Sequence, residues 1–555
     1  MNRRKKVWLW VFVGCLLLLG AIIWLYPFPS NEKIEFSSYE HPLFYEGKSE
    51  FHGMMKDERL YIPIEYVRQA LDKPVVYDQN SNSIIVTTAE NVYQINMGEP
   101  FYIKNDRLID LFYHPVLETE GSRWIAAEFL QTIYALSIKT YPNGAVHTFS
   151  QGFEKKKAKV KSDSEEYELN VRSEPTVTSS YYTSLQGLDK VTVLKKKQDF
   201  YLIVTPSGYT GYVPKSSLEI KGTFTVQTQK EREKREVPGE VIQPIHLAWD
   251  GIYTEQANPD ELPNRPGITV LSPTWFTLVN DKGEIHSRAS ASYVQSAHSN
   301  GNQVWALFSN GFDPELTSKV LPTYQKRTKM IHQLLRFAEK YNLDGINLDF
   351  ENVFQEDGKW FTQFVRELTP RAHNQGLVIS VDVSFISNSS QWSEFYERAE
   401  LAEVADYLIV MAYDQHWATS PQAGSVASLQ WVEQNLQELL EIVPKEHLLL
   451  GIPLYTRLWE ENNGEVSSTA LTMEEAERWV EDKGLTPELA ESTGQEYVQT
   501  TIDGTTYKMW LENEISLKKR INLMEKYKLA GIASWSISFA DREAWEFINE
   551  QLYEE

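Results

Sequence analysis

Residues 344–351 have the sequence DGINLDFE, in which apolar and polar side chains alternate as they do in a β-strand. Because successive side chains of a strand point to opposite faces, Asn347, Asp349 and Glu351 share one face, and the apolar residues between them share the other. The interior of a barrel normally holds branched apolar side chains, and burial of unpaired carboxyl groups is costly. This line of polar groups therefore predicts a functional site, with a structural salt bridge as the alternative.

The surrounding segment, residues 240–555, alternates strand and helix candidates. Seven further strands are predicted, at Ile245–Trp249, Thr269–Ser272, Gln303–Phe308, Val378–Val383, Tyr407–Met411, Leu448–Ile452 and Gly531–Trp535. Amphipathic helices are predicted between several of them, at Thr328–Lys340, Lys359–His373 and Leu429–Ile442. This order predicts an α/β fold, a (β/α)8 TIM barrel, with its functional residues at the C-terminal ends of the strands.

Four motifs of this segment, in the correct order, resemble those of glycoside hydrolase family 18. They are DGINLDFE at 344–351, MAYD at 411–414, PLYTR at 453–457 and the single residue Trp535. They match the family's Asp-x-x-Asp-x-Asp-x-Glu, Met-x-Tyr-Asp, Pro-x-Tyr-x-Arg and strand-eight Trp. Residues of about 459–513 resemble the small inserted α+β module that forms one wall of the family's glycan groove.

The resemblance implies that Glu351 protonates the glycosidic oxygen, while Asp349 and Tyr413 hold the acetamido group of the substrate. In this family the acetamido oxygen of the substrate attacks the anomeric carbon, and configuration is retained. Asp349, on the same strand face as Glu351, disfavours ionisation of Glu351 and helps it to keep its proton. The remaining site candidates are the supporting residues Asp344, Asn347 and Asp414 and the substrate-binding residues Trp535, Tyr455, Arg457 and Trp275. For Tyr455 and Trp275 a core position is an equal alternative.

Asn347 stands where the family motif has its second aspartate. In the family that aspartate shares a proton with the next one, whereas an asparagine forms hydrogen bonds but cannot accept the proton. We expect activity to persist with a shifted acidic limb of the pH–rate profile. Asparagine at this place resembles the branch that includes bacterial spore-cortex and cell-wall N-acetylglucosaminidases.

Residues 38–150 contain a faint internal repeat. The segments YIPIEYV at 61–67 and WIAAEFL at 124–130 resemble each other, and each is followed by a predicted strand pair. A helix plus a hairpin in each copy predicts an α+β module. It resembles the copper amine oxidase N-domain-like module of bacterial surface proteins, which carries no copper-binding implication here and favours a spacer.

Residues 164–220 are short and rich in strand candidates. LNVRSEP at 169–175 and GYTGYVP at 208–214 resemble the opening and closing signatures of bacterial SH3-like domains, which predicts a small β-barrel. Tyr181, Tyr182 and Tyr209 are then candidates for contact with a peptide or glycan, and a spacer is the alternative. Two charged stretches, Glu154–Asp163 and Gln229–Pro238, are predicted as linkers.

The N-terminus, residues 1–29, carries four cations at residues 3–6, followed by an uncharged run, Val7–Tyr26. This predicts a transmembrane helix with a cytoplasmic N-terminus, a single-pass protein of the cell membrane, and an extracytoplasmic catalytic domain; a cleaved signal peptide is the alternative. The chain of 555 residues has 54 basic and 77 acidic residues, a net charge of −23, which argues against nucleic acid as a partner. No metal motif is present, and we predict no cofactor and no metal.

The sequence thus predicts a membrane-anchored glycoside hydrolase that cleaves β-1,4 bonds after N-acetylglucosamine in peptidoglycan. Two alternatives remain open. The first is a chitinase-type hydrolase that acts on chitin or chito-oligosaccharides, and the second is a non-catalytic glycan-binding protein of the cell wall or of sporulation. The presence of Glu351 favours an enzyme.

Overall fold

The computed structural model describes residues 8, 10, 12–16, 28–162, 164, 167–234, 236–239, 241–259 and 261–553. The chain forms two compact units. Among the described residues, the first unit holds those up to Tyr77 together with those of Ser83–Thr88 and Tyr93–Glu233. The second holds Asp78–Asn82, Ala89–Val92 and the residues from Lys234 onward.

The predicted repeat within residues 38–150 forms two copies of a strand, a short helix and a strand pair. The first copy consists of Arg59–Pro63, Ile64–Gln69, Val75–Asp78 and Ser83–Thr87, and the second of Ser122–Ala126, Ala127–Ile133, Leu136–Thr140 and Val146–Ser150. The first strands of the two copies pair in an antiparallel ladder, and both helices bury apolar side chains in one shared core. The other strands are Pro42–Tyr45, Lys48–His52, Met54–Lys56, Val92–Asn96, Phe101–Lys104, Arg107–Asp110 and Val116–Thr119.

The rest of the first unit is a seven-stranded antiparallel sheet that encloses a small core, including Val171, Ile203 and Val213. Its strands, in spatial order, are Tyr181–Gln186, Glu168–Arg172, Thr210–Pro214, Phe200–Val204, Lys190–Lys197, Glu154–Val160 and Leu218–Thr225. This is the small barrel that the sequence predicts.

The prediction of a solvated linker at Glu154–Asp163 is wrong, because Glu154–Val160 is a strand of this sheet. It pairs on both sides, with Lys190–Lys197 and with Leu218–Thr225. Ala158 and Val160 are buried in the core. Two ladders of backbone hydrogen bonds thus hold a lysine-rich segment that local composition assigns to solvent. The second stretch, Gln229–Pro238, has no helix or strand among its described residues.

A segment near the N-terminus covers the tyrosines that were candidates for ligand contact. Ile34 N donates to Tyr181 O at 2.9 Å, and Tyr181 N donates to Glu32 O at 3.0 Å. The Phe36 ring packs edge-on against Tyr182, at 5.0 Å between centroids, and against Tyr209, at 5.1 Å. These two rings therefore serve packing within the first unit.

The prediction of a membrane-spanning helix and of single-pass membrane localisation is not upheld. Over the part of the chain that the structure describes, no helix has the length and apolarity needed to cross a membrane. Most of Val7–Tyr26, namely residues 7, 9, 11 and 17–26, lies outside the described residues.

The second unit contains a closed barrel of eight parallel strands. They are β1 Ile245–Asp250, β2 Val270–Pro273, β3 Gln303–Ser309, β4 Gly345–Asp349, β5 Val378–Ser384, β6 Tyr407–Met411, β7 Leu448–Pro453 and β8 Gly531–Trp535. Each strand pairs with the next, and β8 pairs back with β1. The predicted strand positions agree with these to within about one residue at each end.

Helices surround this barrel. They are Ala291–Ser299, Pro314–Val320, Tyr324–Tyr341, Gly358–His373, Arg398–Val404, Leu429–Leu439, Glu514–Tyr527 and Arg542–Tyr553. Side chains such as Ile346 and Leu348 belong to the core between strands and helices, whereas Leu247, Trp305 and Ile409 belong to a separate cluster inside the barrel. Each strand therefore has an inward and an outward face.

Two additions extend the barrel. A short hairpin, Phe276–Leu278 and Ile285–Ser287, follows β2. Between β7 and β8 lies a five-stranded antiparallel sheet of Tyr455–Asn462, Glu465–Thr472, Glu488–Ala490, Gln495–Ile502 and Thr505–Leu511, with the helix Met473–Asp482. The inserted module thus begins slightly earlier than the predicted residue 459.

Candidate active site

The polar face of β4 lies inside the barrel. Asn347 is fully buried there, and Asp349 and Glu351 follow it toward the C-terminal end of the strand, where both are partly accessible. The intervening residues Ile346 and Leu348 are fully buried against the helices. The alternation in the sequence therefore separates a polar line, which rises to the mouth of the barrel, from the apolar face that anchors the strand.

Asn347 is held by four hydrogen bonds from four other residues. Its Oδ1 accepts from Trp249 Nε1 at 3.0 Å and from Ser272 Oγ at 3.1 Å. Its Nδ2 donates to Ser380 Oγ at 3.0 Å and to Asp382 Oδ1 at 2.8 Å. The amide thus uses its full hydrogen-bonding capacity, which suits an asparagine and not a carboxylate at this position.

Asp382, on β5, is a buried carboxyl that the sequence reasoning missed. It is only 1% exposed. The pattern of β5 contained a signal, because Ser380 and Asp382 alternate with valines in an otherwise apolar strand and so share one face. What the strand pattern does not show is that this face meets Asn347.

Burial raises the pKa of the two carboxyls at the end of β4, Asp349 and Glu351. It raises the pKa of Asp349 from 3.8 to about 7. The pKa of Glu351 lies well above its usual value, because the barrel mouth partly desolvates the carboxyl and because Asp349 and Asp414 oppose a further negative charge. This raised pKa favours the protonated form of Glu351, which is the form that a general acid needs.

Contacts to the backbone fix the position of Glu351. Asn310, which directly follows β3, accepts from Glu351 N at 3.2 Å and donates to Glu351 O at 2.8 Å. The Tyr396 hydroxyl donates to Phe350 O at 2.8 Å. The sequence reasoning also missed Asn310 and Tyr396, because both come from segments remote in the chain.

Tyr413 and Trp535 border the same space. Both rings pack edge-on against Trp249, at 6.5 Å for Tyr413 and 5.9 Å for Trp535. Burial and the carboxyls of Asp382 and Glu351 raise the pKa of Tyr413 well above its usual value. Its hydroxyl therefore stays protonated and can donate a hydrogen bond.

Three family models match separate parts of the chain. Residues 275–540 match the model described as glycosyl hydrolases family 18. The barrel is a glycosyl hydrolase family 18 domain. Residues 168–219 match the bacterial SH3 domain, and residues 45–146 match the copper amine oxidase N-terminal domain.

Known proteins resemble the family 18 domain at low identity. The uncharacterized glycosylase YvbX of Bacillus subtilis (strain 168) is 26% identical over 279 residues, which cover 48% of this chain and 80% of YvbX. The cortical fragment-lytic enzyme of Bacillus anthracis is 25% identical over 299 residues, 52% of this chain and 69% of that enzyme. The crystal structure of the spore cortex-lytic enzyme SleL of Bacillus megaterium QM B1551 aligns with a TM-score of 0.50 at 16% identity, covering 60% of this chain and 78% of SleL, and shares its fold.

Three other predicted residues of the family 18 domain form one group. The Tyr455 hydroxyl donates to Asp414 Oδ1 at 2.6 Å, and Arg457 Nη2 lies 3.4 Å from the same oxygen. Tyr455 is only 4% exposed. Tyr455 thus orients Asp414 and offers little ring surface to a sugar.

Two predicted residues lie away from this group. Asp344 precedes β4 at its opposite end, where its Oδ2 accepts from Val304 N and His298 Nε2, both at 2.8 Å. Trp275 is fully buried in the core, and its Nε1 donates to Asn258 Oδ1 at 2.9 Å. The supporting role of Asp344 is thus one of strand anchoring, and the structure places Trp275 in the core, not in a groove.

Exposed aromatic residues occur instead in the segments that follow the barrel strands. Tyr253 follows β1, Phe312 follows β3, Trp392 follows β5 and Trp417 follows β6, and each is between 47% and 68% exposed. The rings of Phe312 and Trp392 lie 6.4 Å apart. Because these segments follow the C-terminal ends of the strands, they lie at the face of the barrel that contains Glu351.

Proposed function

We propose that this protein hydrolyses β-1,4 glycosidic bonds after N-acetylglucosamine in peptidoglycan, with retention of configuration. The observation that carries the proposal is the placement of Glu351 at the mouth of the barrel, with Asp349 two residues before it and Tyr413 bordering the same space. This arrangement supplies an acid and two groups that can hold an acetamido substituent.

The reaction follows from the chemistry of these groups. Glu351 gives its proton to the glycosidic oxygen, while the acetamido oxygen of the substrate attacks the anomeric carbon from the other side. Asp349 accepts the acetamido N–H and stabilises the positive charge that develops there, and the Tyr413 hydroxyl donates to the acetamido oxygen. Glu351, now ionised, takes a proton from the water that completes hydrolysis, and two inversions give net retention.

The exposed aromatic rings support a long glycan as the substrate. Pyranose rings present apolar C–H faces that pack on aromatic side chains. Trp535 lies at the mouth beside Trp249 and is the candidate floor for the reacting sugar. Phe312 and Trp392, on one side, and Trp417 supply further surfaces along a chain of sugars.

The choice of peptidoglycan rests on the relatives and on the accessory domain. The similar protein of Bacillus anthracis is named a cortical fragment-lytic enzyme. A bacterial SH3 domain precedes the barrel in this chain, and such domains often bind cell wall. Chitin is the competing substrate, since it also presents N-acetylglucosamine.

Digestion of purified peptidoglycan and of chitin by the full chain tests the proposal. We expect muropeptides with N-acetylglucosamine at the reducing end, detected by mass spectrometry after borohydride reduction. Glu351→Gln should abolish release while retaining glycan binding, and Glu356→Gln, an exposed carboxylate five residues on, is the matched control. Release of products from chitin alone would show that peptidoglycan is not the substrate. Full activity of Glu351→Gln would refute the role of Glu351 as the acid.

A further inference from the structure

Asp382 lies beside Asp349 in the interior of the barrel. The register of β4 and β5 pairs Asn347 with Ser380 and Leu348 with Val381. One more residue along both strands brings Asp349 level with Asp382. Because Asn347 contacts Asp382 from inside the barrel, and Asp349 shares the face of Asn347, both carboxyls point into the same space.

Within the part of the chain that the structure describes, Asp349 and Asp382 have fewer hydrogen-bond donors than two ionised carboxylates need. Asp382 Oδ1 accepts from Asn347 Nδ2 at 2.8 Å. Asp349 Oδ1 is buried with no hydrogen-bond partner among the described residues. A buried acceptor without a donor is costly, and a proton on the second oxygen of Asp382 would supply that donor.

The charged groups that act most strongly on Asp382 are carboxyls. The titratable groups around it are Asp349 and Glu351 of the β4 segment, Tyr413 after β6, and Tyr396 after β5. The guanidinium of Arg398, which acts on Tyr396, donates to the carbonyl groups of Ser384, Phe385 and Ser393. Two adjacent buried carboxyls retain a proton between them.

We propose that Asp382 is a positioning residue that shares a proton with Asp349. It thereby performs the role of the aspartate that the family motif has at position 347. The inference rests on the proposed function, because the purpose of the shared proton is to keep Asp349 oriented and ionised toward the acetamido group. The proton resides on Asp382 and is donated to Asp349, so that Glu351 keeps its own proton.

The acidity of the three carboxyls agrees with this assignment. Burial, together with Asp349 and Glu351, raises the pKa of Asp382 well above its usual value, whereas the pKa of Asp349 is about 7. Two neighbouring carboxyls thus oppose the ionisation of Asp382, whereas burial is the cause of the raised pKa of Asp349. Asn347 Nδ2 donates to Oδ1 of Asp382, and Trp249 also acts on this carboxyl as a donor, so we assign the proton to Oδ2.

A carboxyl exchange between positions 347 and 382 tests the proposal. The pH profile of kcat/KM is measured for wild type, Asp382→Asn, Asn347→Asp and the double variant. In Asp382→Asn the carboxylic O–H that donates to ionised Asp349 is replaced by a weaker amide donor, so the pKa of Asp349 rises, and we expect the acidic limb to move to higher pH by at least half a unit. Asn347→Asp should move it to higher pH, and the double variant should return it to within about 0.3 unit of wild type.

Asp406→Asn is the matched control, because Asp406 is a buried carboxyl bound to His373 at the other end of the barrel. It should leave the acidic limb in place even if it lowers stability. If Asp382→Asn lowers kcat or the melting temperature without moving the limb, its role is structural and the proposal is overturned. The proposal is also overturned if the acidic limb moves in Asp382→Asn but the double variant does not restore it.

A measurement without substrate separates this inference from the proposed function. Carboxyls that hold protons only in the folded state make the melting temperature fall as pH rises from about 4 through their folded pKa. Asp382→Asn removes one such group, so its melting temperature should fall less between pH 5 and 8 than that of wild type. An equal fall would contradict the shared proton, whereas absence of turnover on every N-acetylglucosamine glycan would refute only the function.

Discussion

The side-chain amide of Asn310 forms two hydrogen bonds with the backbone of Glu351, which lies forty-one residues later in the chain. Asn310 Oδ1 accepts the N–H of Glu351 at 3.2 Å, and Nδ2 donates to its carbonyl oxygen at 2.8 Å. Asn310 is fully buried and also donates to Thr317 Oγ1 at 3.0 Å. The end of β3 therefore determines where the acid on β4 stands.

We expect Asn310→Ala to lower kcat by about 10- to 100-fold with little change in KM, because a misplaced acid weakens the transition state more than the bound substrate. Steady-state kinetics on muropeptide oligomers provide the measurement. Thr317→Val is the control, since it removes a different hydrogen-bond partner of Asn310, the Thr317 hydroxyl, and leaves both contacts to Glu351. A loss of melting temperature with unchanged kcat would assign Asn310 to stability alone.

Asp414→Asn should move the alkaline limb of the kcat/KM profile to lower pH. The negative charge of Asp414 is one of the causes that raise the pKa of Glu351, so its removal favours ionisation of the acid. Because the Asp414 side chain is 47% exposed, we expect a shift of a few tenths of a pH unit that shrinks at high salt. Glu356→Gln should leave the limb in place, and a shift to higher pH in Asp414→Asn would contradict the electrostatic account.

Folding stability should decrease as pH rises through neutrality. The pKa values of Asp349 and Glu351 are raised in the folded state, so their contribution is fully present below pH 4 and is lost as pH passes the folded values, about 7 for Asp349. Each proton that differs between the states changes stability by about 1.4 kcal/mol per pH unit.

Glu351→Gln should reduce this dependence and melt at a higher temperature than wild type at pH 8, as measured by calorimetry of the full chain. The variant removes one group that must hold a proton in the folded state. Glu356→Gln should follow the wild-type curve. A wild-type melting temperature that rises from pH 5 to 8 would show that these carboxyls are ionised and stabilised instead.

Phe36→Ala should lower the stability of the first unit by about 1–3 kcal/mol, through loss of packing at a partly buried site. The ring contacts Phe44, Tyr182 and Tyr209 at 5.0–5.3 Å between centroids. Chemical denaturation followed by tyrosine and tryptophan fluorescence provides the measurement. Tyr39→Ala, an exposed aromatic three residues later, is the control, and equal effects of the two changes would show that the Phe36 contacts do not stabilise the unit.

Local patterns determined much of the architecture. The period-two alternation of DGINLDFE predicted which side chains line the barrel, because that period is a property of the strand itself. The same reasoning located the eight barrel strands and both strand–helix–hairpin copies. It was wrong for Glu154–Val160, where composition indicates solvent but two neighbouring strands supply hydrogen bonds.

Only the tertiary structure decided which residues meet. Asp382 and Asn310 reach β4 from neighbouring strands, and no local pattern encodes which faces of two strands, far apart in the chain, come level. Burial likewise placed Trp275 in the core, although its residue type suits a sugar-binding groove. The sequence by itself determined the acid, Glu351, and the strand that carries it; the closure of the barrel decided the neighbours that hold the acid in place and set its proton affinity.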